Sequence, residues 1–118
     1  MKNTTKVGNK GETLACEFLT KNKYRIIERN YRDRFCEIDV IAIKKKEIAF
    51  VEVKYRSRTD FGGAVGSITP DKFNRMQTSA EYWLSTHPRF SHMQPSLDVV
   101  TIEGSGEPAI EHLKSVFL

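Results

Sequence analysis

The sequence predicts an α/β domain, a mixed β-sheet flanked by helices in the order αβββαββ. Two segments carry apolar residues at the three-and-four spacing of a half-buried helix. Five short apolar runs read as strands. Three of those runs follow one another between the two helices, which suits a single mixed sheet with helices packed against it. No repeat, low-complexity tract or linker divides the 118 residues, so residues 1–118 form one domain, large enough for a core without disulfide or metal staples.

The first helix spans Gly8 to Lys21, with Leu14, Ala15, Phe18 and Leu19 as its apolar stripe and Glu12 on the edge of that stripe. A strand follows from Tyr24 to Arg32, centred on Ile26 and Ile27. Two more strands, Cys36 to Ile43 and Ile48 to Arg56, make a hairpin around Lys44, Lys45 and Lys46. That turn lacks the Gly or Asn of a tight two-residue hairpin, and a four-residue loop from Lys44 to Glu47 would keep the same pairing. A loop holding Gly62, Gly63 and Gly66 covers Ser57 to Ile68. The second helix opens on Thr69 as N-cap, Pro70 in the first position and Asp71 beside the positive end of the dipole. It runs to Ser85 with Phe73, Met76, Ala80, Trp83 and Leu84 inward. A polar connection from His87 to Gln94 leads to a strand from Leu97 to Glu103. A turn at Gly104 to Pro108 leads to a short edge strand, Ala109 to Val116.

The hairpin carries the chemistry. If Ile43 pairs with Ile48, then Ile41 meets Phe50, Val40 meets Val51, Ala42 meets Ala49 and Ile38 meets Val53. Both faces are then apolar, as in a central strand covered on both sides. The same register sets Asp39 opposite Glu52 and Glu37 opposite Lys54. Directly opposed like charges are destabilising, so a paired Asp39 and Glu52 point to a cation or a shared proton between them. Two carboxylates with a backbone carbonyl, that of Val53, are donors for hard Mg²⁺ or Mn²⁺. Such an ion suits phosphodiester hydrolysis, where it acts as Lewis acid, activator of water and template. On the same face, the Lys54 ammonium is placed to orient or deprotonate the attacking water or to stabilise the phosphorane.

Composition adds bounds. A net charge of +4 favours a polyanionic partner, weakly by itself. No apolar run spans a membrane and the polar start lacks a signal-peptide stretch, so the expectation is a cytoplasmic protein with no membrane partner. Cys16 and Cys36 have neither a CxxC nor a zinc spacing and read as reduced thiols.

With these elements and charges assembled, the chain resembles the YraN-like family of small bacterial proteins. The likeness runs through Gly8, Gly11-Glu12, Asn30-Tyr31-Arg32, Glu37-Ile38-Asp39 and Phe50 to Arg56, then Phe61-Gly62, Lys72 and Asp98-Val99-Val100. It implies a restriction-endonuclease-like fold, as in Holliday-junction resolvases. The function it implies is a metal-dependent deoxyribonuclease, with branched or structured DNA as the substrate class. It further implies Asp39, Glu52 and Lys54 as catalytic residues, Glu12 as holder of a metal-bound water, and a homodimer with one site per strand. Two positions depart from the family pattern. Cys36 stands where the family usually has Gly, beside the site, and the hairpin turn lacks the common Asp-Gly.

Each assignment has a structural competitor. Asp39 and Glu52 also suit a proton-sharing or lysine-paired structural cluster. Lys54 also suits a salt bridge to Glu37, which is then a supporting residue rather than a ligand. Glu12 also suits a first-turn acid favoured by the dipole. Arg56, Arg58 and Lys72 are candidates for phosphate binding or ordinary solvated charges. Gln77 either reaches the cleft or is a plain polar helix position. Asp98 either supports Lys72 or closes its strand end, and His87, His92 and His112 fit no ligand spacing. The alternative function is a non-catalytic nucleic-acid-binding or adaptor protein that keeps the fold.

Overall fold

The computed structural model describes residues 2–56, 69–103 and 109–115, with the backbone alone at 2–10 and 56. Among the described residues the elements are α1 (Lys2–Lys21), β1 (Arg25–Arg32), β2 (Glu37–Lys44), β3 (Glu47–Arg56), α2 (Pro70–Ser85), a 3-10 turn at Pro88–Phe90, β4 (Gln94–Glu103) and β5 (Ala109–Leu113). They form one five-stranded sheet in the order β1-β2-β3-β4-β5. The β3–β4 pair is parallel and the other three pairs are antiparallel. This is the mixed sheet and the αβββαββ order that the sequence predicts.

Three boundaries differ by more than one residue. Helix α1 begins at Lys2, six residues before the predicted Gly8, because that stretch is mostly polar and carries no periodic signal. Strand β4 begins at Gln94 rather than Leu97, and β5 ends at Leu113 rather than Val116. The predicted glycine loop of 57–68 and the turn of 104–108 lie outside the described residues.

Helix α1 buries Gly11, Glu12, Ala15, Cys16 and Leu19, while Leu14 and Phe18 are only half-buried. The buried stripe is therefore turned toward Glu12 relative to the predicted one. Ala15, Cys16 and Leu19 pack on Val40, Ala42, Ala49, Val51, Val100 and Ile102. Gly11 allows a close approach, since a Cβ there would lie 2.6 Å from Cε2 of Tyr55 on β3. On the other face, α2 presents Phe73, Met76, Ala80 and Trp83 to Ile38, Ile41, Ile48, Phe50, Leu97 and Val99. Thr69 Oγ1 caps α2 by accepting from the Lys72 N–H at 3.1 Å. Trp83 is fully buried, edge-on to Phe50 with centroids 5.9 Å apart, and its indole N–H donates to Glu28 at 2.9 Å.

The hairpin register is the predicted one for Ile43–Ile48, Ala42–Ala49, Ile41–Phe50 and Val40–Val51. The turn is tight after all: Lys44 pairs with Glu47, and Lys45 takes up the turn at φ 56°. At the other end the ladder stops at Val40–Val51, so the expected Ile38–Val53, Asp39–Glu52 and Glu37–Lys54 pairs do not form. Ile38 belongs to the layer under α2, whereas Val40 and Ala42 belong to the layer under α1. The alternation of faces is thus reset at Asp39. Across the β1–β2 ladder, where Tyr31 pairs with Ile38 and Arg29 with Val40, Asn30 sits at φ 56°. These irregularities part β2 from β3 at the charged end of the hairpin.

Candidate active site

Asp39 fills the gap where β2 and β3 separate. Its Oδ2 accepts the Val53 N–H at 2.8 Å, so a side chain replaces the ladder bond that β2 would have supplied. In an extended strand a residue's N–H and C=O leave on the same edge, which turns the Val53 carbonyl toward the same gap. Burial raises the Asp39 carboxyl above its ordinary value of 3.8, to about 7, and the neighbouring Glu52 charge adds to the rise. The Val53 N–H opposes it, while Glu12 and Glu37 add smaller repulsions. Three other acids therefore converge on one half-buried carboxyl.

Glu52 lies on the next strand and is only 6% exposed. Its Oε2 is 3.6 Å from Lys54 Nζ and its Oε1 is 3.7 Å from Lys72 Nζ. Both are ion pairs too long to be hydrogen bonds. Lys54 thus turns to Glu52, its neighbour on β3, instead of to Glu37. Glu37 is bound by Arg32 of β1 at 2.9 Å and stands half-exposed at the rim. Lys72 comes from the first turn of α2, so the helix brings a cation to the cluster in addition to its own positive pole.

Glu12 reaches the cluster from α1. Burial raises its carboxyl above the ordinary range, opposed by Asn30 and Arg29 and reinforced by Glu37 and Glu52. The Arg29 guanidinium is 3.9 Å from Oε1, and that buried oxygen has no hydrogen-bond partner. A buried acceptor left unsatisfied costs about 1–3 kcal/mol. Asn30 and Arg29 are the contributors that sequence reasoning missed. The signal was there: Asn tolerates the left-handed region, and Glu28-Arg29-Asn30 is a polar run inside a strand.

Other candidates fall elsewhere. Gln77 is exposed, donates to Glu81 and lines a groove with Pro95, Ser96 and Leu97, so it does not reach the cleft. Asp98 does not support Lys72. It is fully buried on the β5 side, accepting from His112 Nε2 at 2.7 Å, the Ser115 N–H at 3.0 Å and the Ser96 hydroxyl. Cys36 is packed in the layer under α2, with its thiol 3.4 Å from the Glu37 carbonyl. Arg58 and the side chain of Arg56 lie outside the described residues.

A divalent ion fits this donor set. The buried Glu12 oxygen makes no hydrogen bond, and the Asp39 carboxyl is pushed toward neutrality by burial and by neighbouring carboxylates, so a further cation beside them would be favourable. Hard oxygen donors are what Mg²⁺ or Mn²⁺ requires. Among the described residues no three His, Cys, Asp or Glu side chains close on one point, and the donors that would hold such an ion are Asp39, Glu52 and the Val53 carbonyl, with Glu12 behind them.

A model of the family described as "Uncharacterised protein family UPF0102" matches residues 11–102. A UPF0102 protein of Syntrophomonas wolfei is 39% identical over 108 residues, covering 91% of this chain and 93% of that protein. One from Nitrosomonas europaea is 40% identical over 113 residues, covering 93% and 94%. One from Neisseria meningitidis serogroup C is 42% identical over 103 residues, covering 87% and 89%. The match takes in Glu12, the parted hairpin, Lys72 and β4 as far as Ile102, and the chain belongs to the UPF0102, or YraN, family.

Proposed function

We propose that this protein is a divalent-metal-dependent endonuclease that hydrolyses phosphodiester bonds in DNA, branched DNA being the favoured substrate. The observation that carries this reading is the buried Glu12 Oε1, which makes no hydrogen bond and has only the Arg29 guanidinium at 3.9 Å, behind the Asp39–Glu52 gap. A carboxylate is kept there at a cost that a bound cation or its water would repay. When bound, Mg²⁺ or Mn²⁺ supplies charge neutralisation on the phosphate and a lowered pKa of water. The chain's own groups do the rest. The Val53 N–H fixes Asp39 in the gap. Lys54 and Lys72 bracket Glu52 and offer ammonium groups to a phosphate that approaches between them. Lys54, on the open edge of β3, is placed to hold the attacking water or the developing charge. Glu12 is placed to hold a further water and receive its proton. A homodimer, with one site per strand, is the assembly this reading expects.

One observation favours a second reading. Glu52 is neutralised on both oxygens by lysines, which suits a structural cluster in a nucleic-acid-binding or adaptor protein. Wild-type and Asp39→Ala protein incubated with duplex, single-stranded and four-way-junction DNA, with Mg²⁺, Mn²⁺ or EDTA, separate the two. The nuclease reading expects metal-dependent cleavage that falls at least about a hundredfold in the variant, as when a preorganised transition-state contact is lost. Binding without cleavage in every condition supports the second reading.

A further inference from the structure

Strand β1 is broken on both sides of one residue, Arg29. In a regular strand Ile27, Arg29 and Tyr31 would share a face, because side chains alternate with a period of two. Ile27 and Tyr31 do share one, packed against the layer under α2. Glu28 points the same way, pairing with Ile41 and accepting the Trp83 indole N–H at 2.9 Å. Arg29 turns to the opposite face, where it pairs with Val40 of the α1 layer. There its Nη2 donates to Thr13 Oγ1 at 3.1 Å and lies 3.9 Å from Glu12 Oε1. Two breaks make this possible: the register shifts between Ile26 and Glu28, and Asn30 takes φ 56°. A bulge beside a functional site re-aims a side chain in this way. The result here is a cation beside a buried carboxylate.

The contact neutralises without occupying. At 3.9 Å the guanidinium is too far to hydrogen-bond Glu12, and Thr13 of the same helix holds it at that distance. Its charge offsets the carboxylate while Oε1 makes no hydrogen bond. The Arg29 side chain is 38% exposed and stands on an edge strand, so it can swing outward without disturbing the core. We propose that Arg29 is a displaceable counter-cation of Glu12, which balances the carboxylate in the metal-free protein and competes with the divalent ion for it. This inference rests on the Asp39–Glu52 gap taking a divalent ion, but not on the cleavage of DNA. Two cations drawn to one partly buried carboxylate repel each other where screening is weak. Removing Arg29 therefore tightens the binding of the ion, the opposite of what the loss of a structural contact would do.

The test is Mn²⁺ binding without DNA at about pH 8, where protons compete least for the carboxyls, read from the paramagnetic resonance signal of the free ion. Arg29→Gln is expected to bind Mn²⁺ at least about fivefold more tightly than wild type, whereas Arg29→Lys, which keeps the charge, stays within about twofold. In a Glu12→Gln background the gain from Arg29→Gln shrinks to about twofold or less, since the carboxylate that both cations share is gone. Thermal unfolding gives a second readout: one fixed excess of Mn²⁺ raises the midpoint further in Arg29→Gln than in wild type. Wild-type affinity in Arg29→Gln, or a gain undiminished without Glu12, overturns the inference and leaves the metal site standing. A wild type with no affinity for Mn²⁺ overturns the metal site and the inference together.

Discussion

Asp39 is the residue on which most of the local physics meets. Its carboxyl is raised to about 7 in the folded protein, against an ordinary 3.8, chiefly by burial and then by Glu52. Between those values the folded state binds a proton that the unfolded state has lost, so stability falls as pH rises. The metal-free protein is therefore expected to be more stable at pH 5 than at pH 8, by on the order of 1–3 kcal/mol. Asp39→Asn should abolish most of that slope, which urea unfolding at the two pH values checks. A wild type equally stable at both would remove the burial and repulsion invoked here. The acid side has a separate origin. Burial alone would raise Asp33 and Asp98, but hydrogen bonds outweigh it and hold both below their ordinary value: Ser79, Tyr31 and two backbone N–H groups on Asp33; His112, Ser96 and the Ser115 N–H on Asp98. Their contribution is present above about pH 4 and lost below it, as the carboxylates are protonated.

At the scale of elements, the approach of α1 to β3 decides whether Glu12 takes part in the cluster. Gly11 sits where a Cβ would meet the Tyr55 ring at 2.6 Å. Glycine inside a helix costs about 1 kcal/mol relative to alanine, so its presence marks the contact rather than the helix. Tyr55 is 40% exposed and its ring can swing outward. Gly11→Ala is then expected to be near neutral for stability, with helix propensity offset by the displaced ring. In a Tyr55→Ala background the same change should stabilise by about 1 kcal/mol, since nothing remains to displace. Thermal unfolding of the four proteins completes the cycle. Equal effects of Gly11→Ala in both backgrounds would mean that the helix–strand approach is not set at this contact. Where Glu12 holds a water for cleavage, Gly11→Ala also slows metal-dependent cleavage more than it alters the unfolding midpoint.

For the whole molecule, β3 and β4 form the spine, paired in parallel over ten residues from Glu47–Gln94 to Arg56–Glu103 and covered by a helix layer on each face. Amide exchange is expected to be slowest at Phe50, Val51, Val99 and Val100 and faster along the edge strands β1 and β5, because local opening spares the most buried ladders. The Val53 amide is the exception: its protection comes from Asp39, so Asp39→Ala should expose it selectively while Val51 stays slow. Rapid exchange throughout β3 in that variant would show the gap to be a structural keystone instead. The sequence alone determined the element order, the hairpin register as far as Val40–Val51 and the capped start of α2. These follow from local periodicity and capping chemistry, which neighbouring residues carry by themselves. It also named Glu12, Asp39, Glu52, Lys54 and Lys72, which the fold draws into one cluster. Only the tertiary structure decided how they meet. The reset of faces at Asp39, the parting of β2 from β3, the pairing of Lys54 with Glu52 rather than Glu37, and the turn of the α1 stripe toward Glu12 all depend on contacts between residues distant in sequence. A strand's alternation predicts a regular ladder, and this ladder ends where a side chain, packed between two helix layers, takes the place of the backbone.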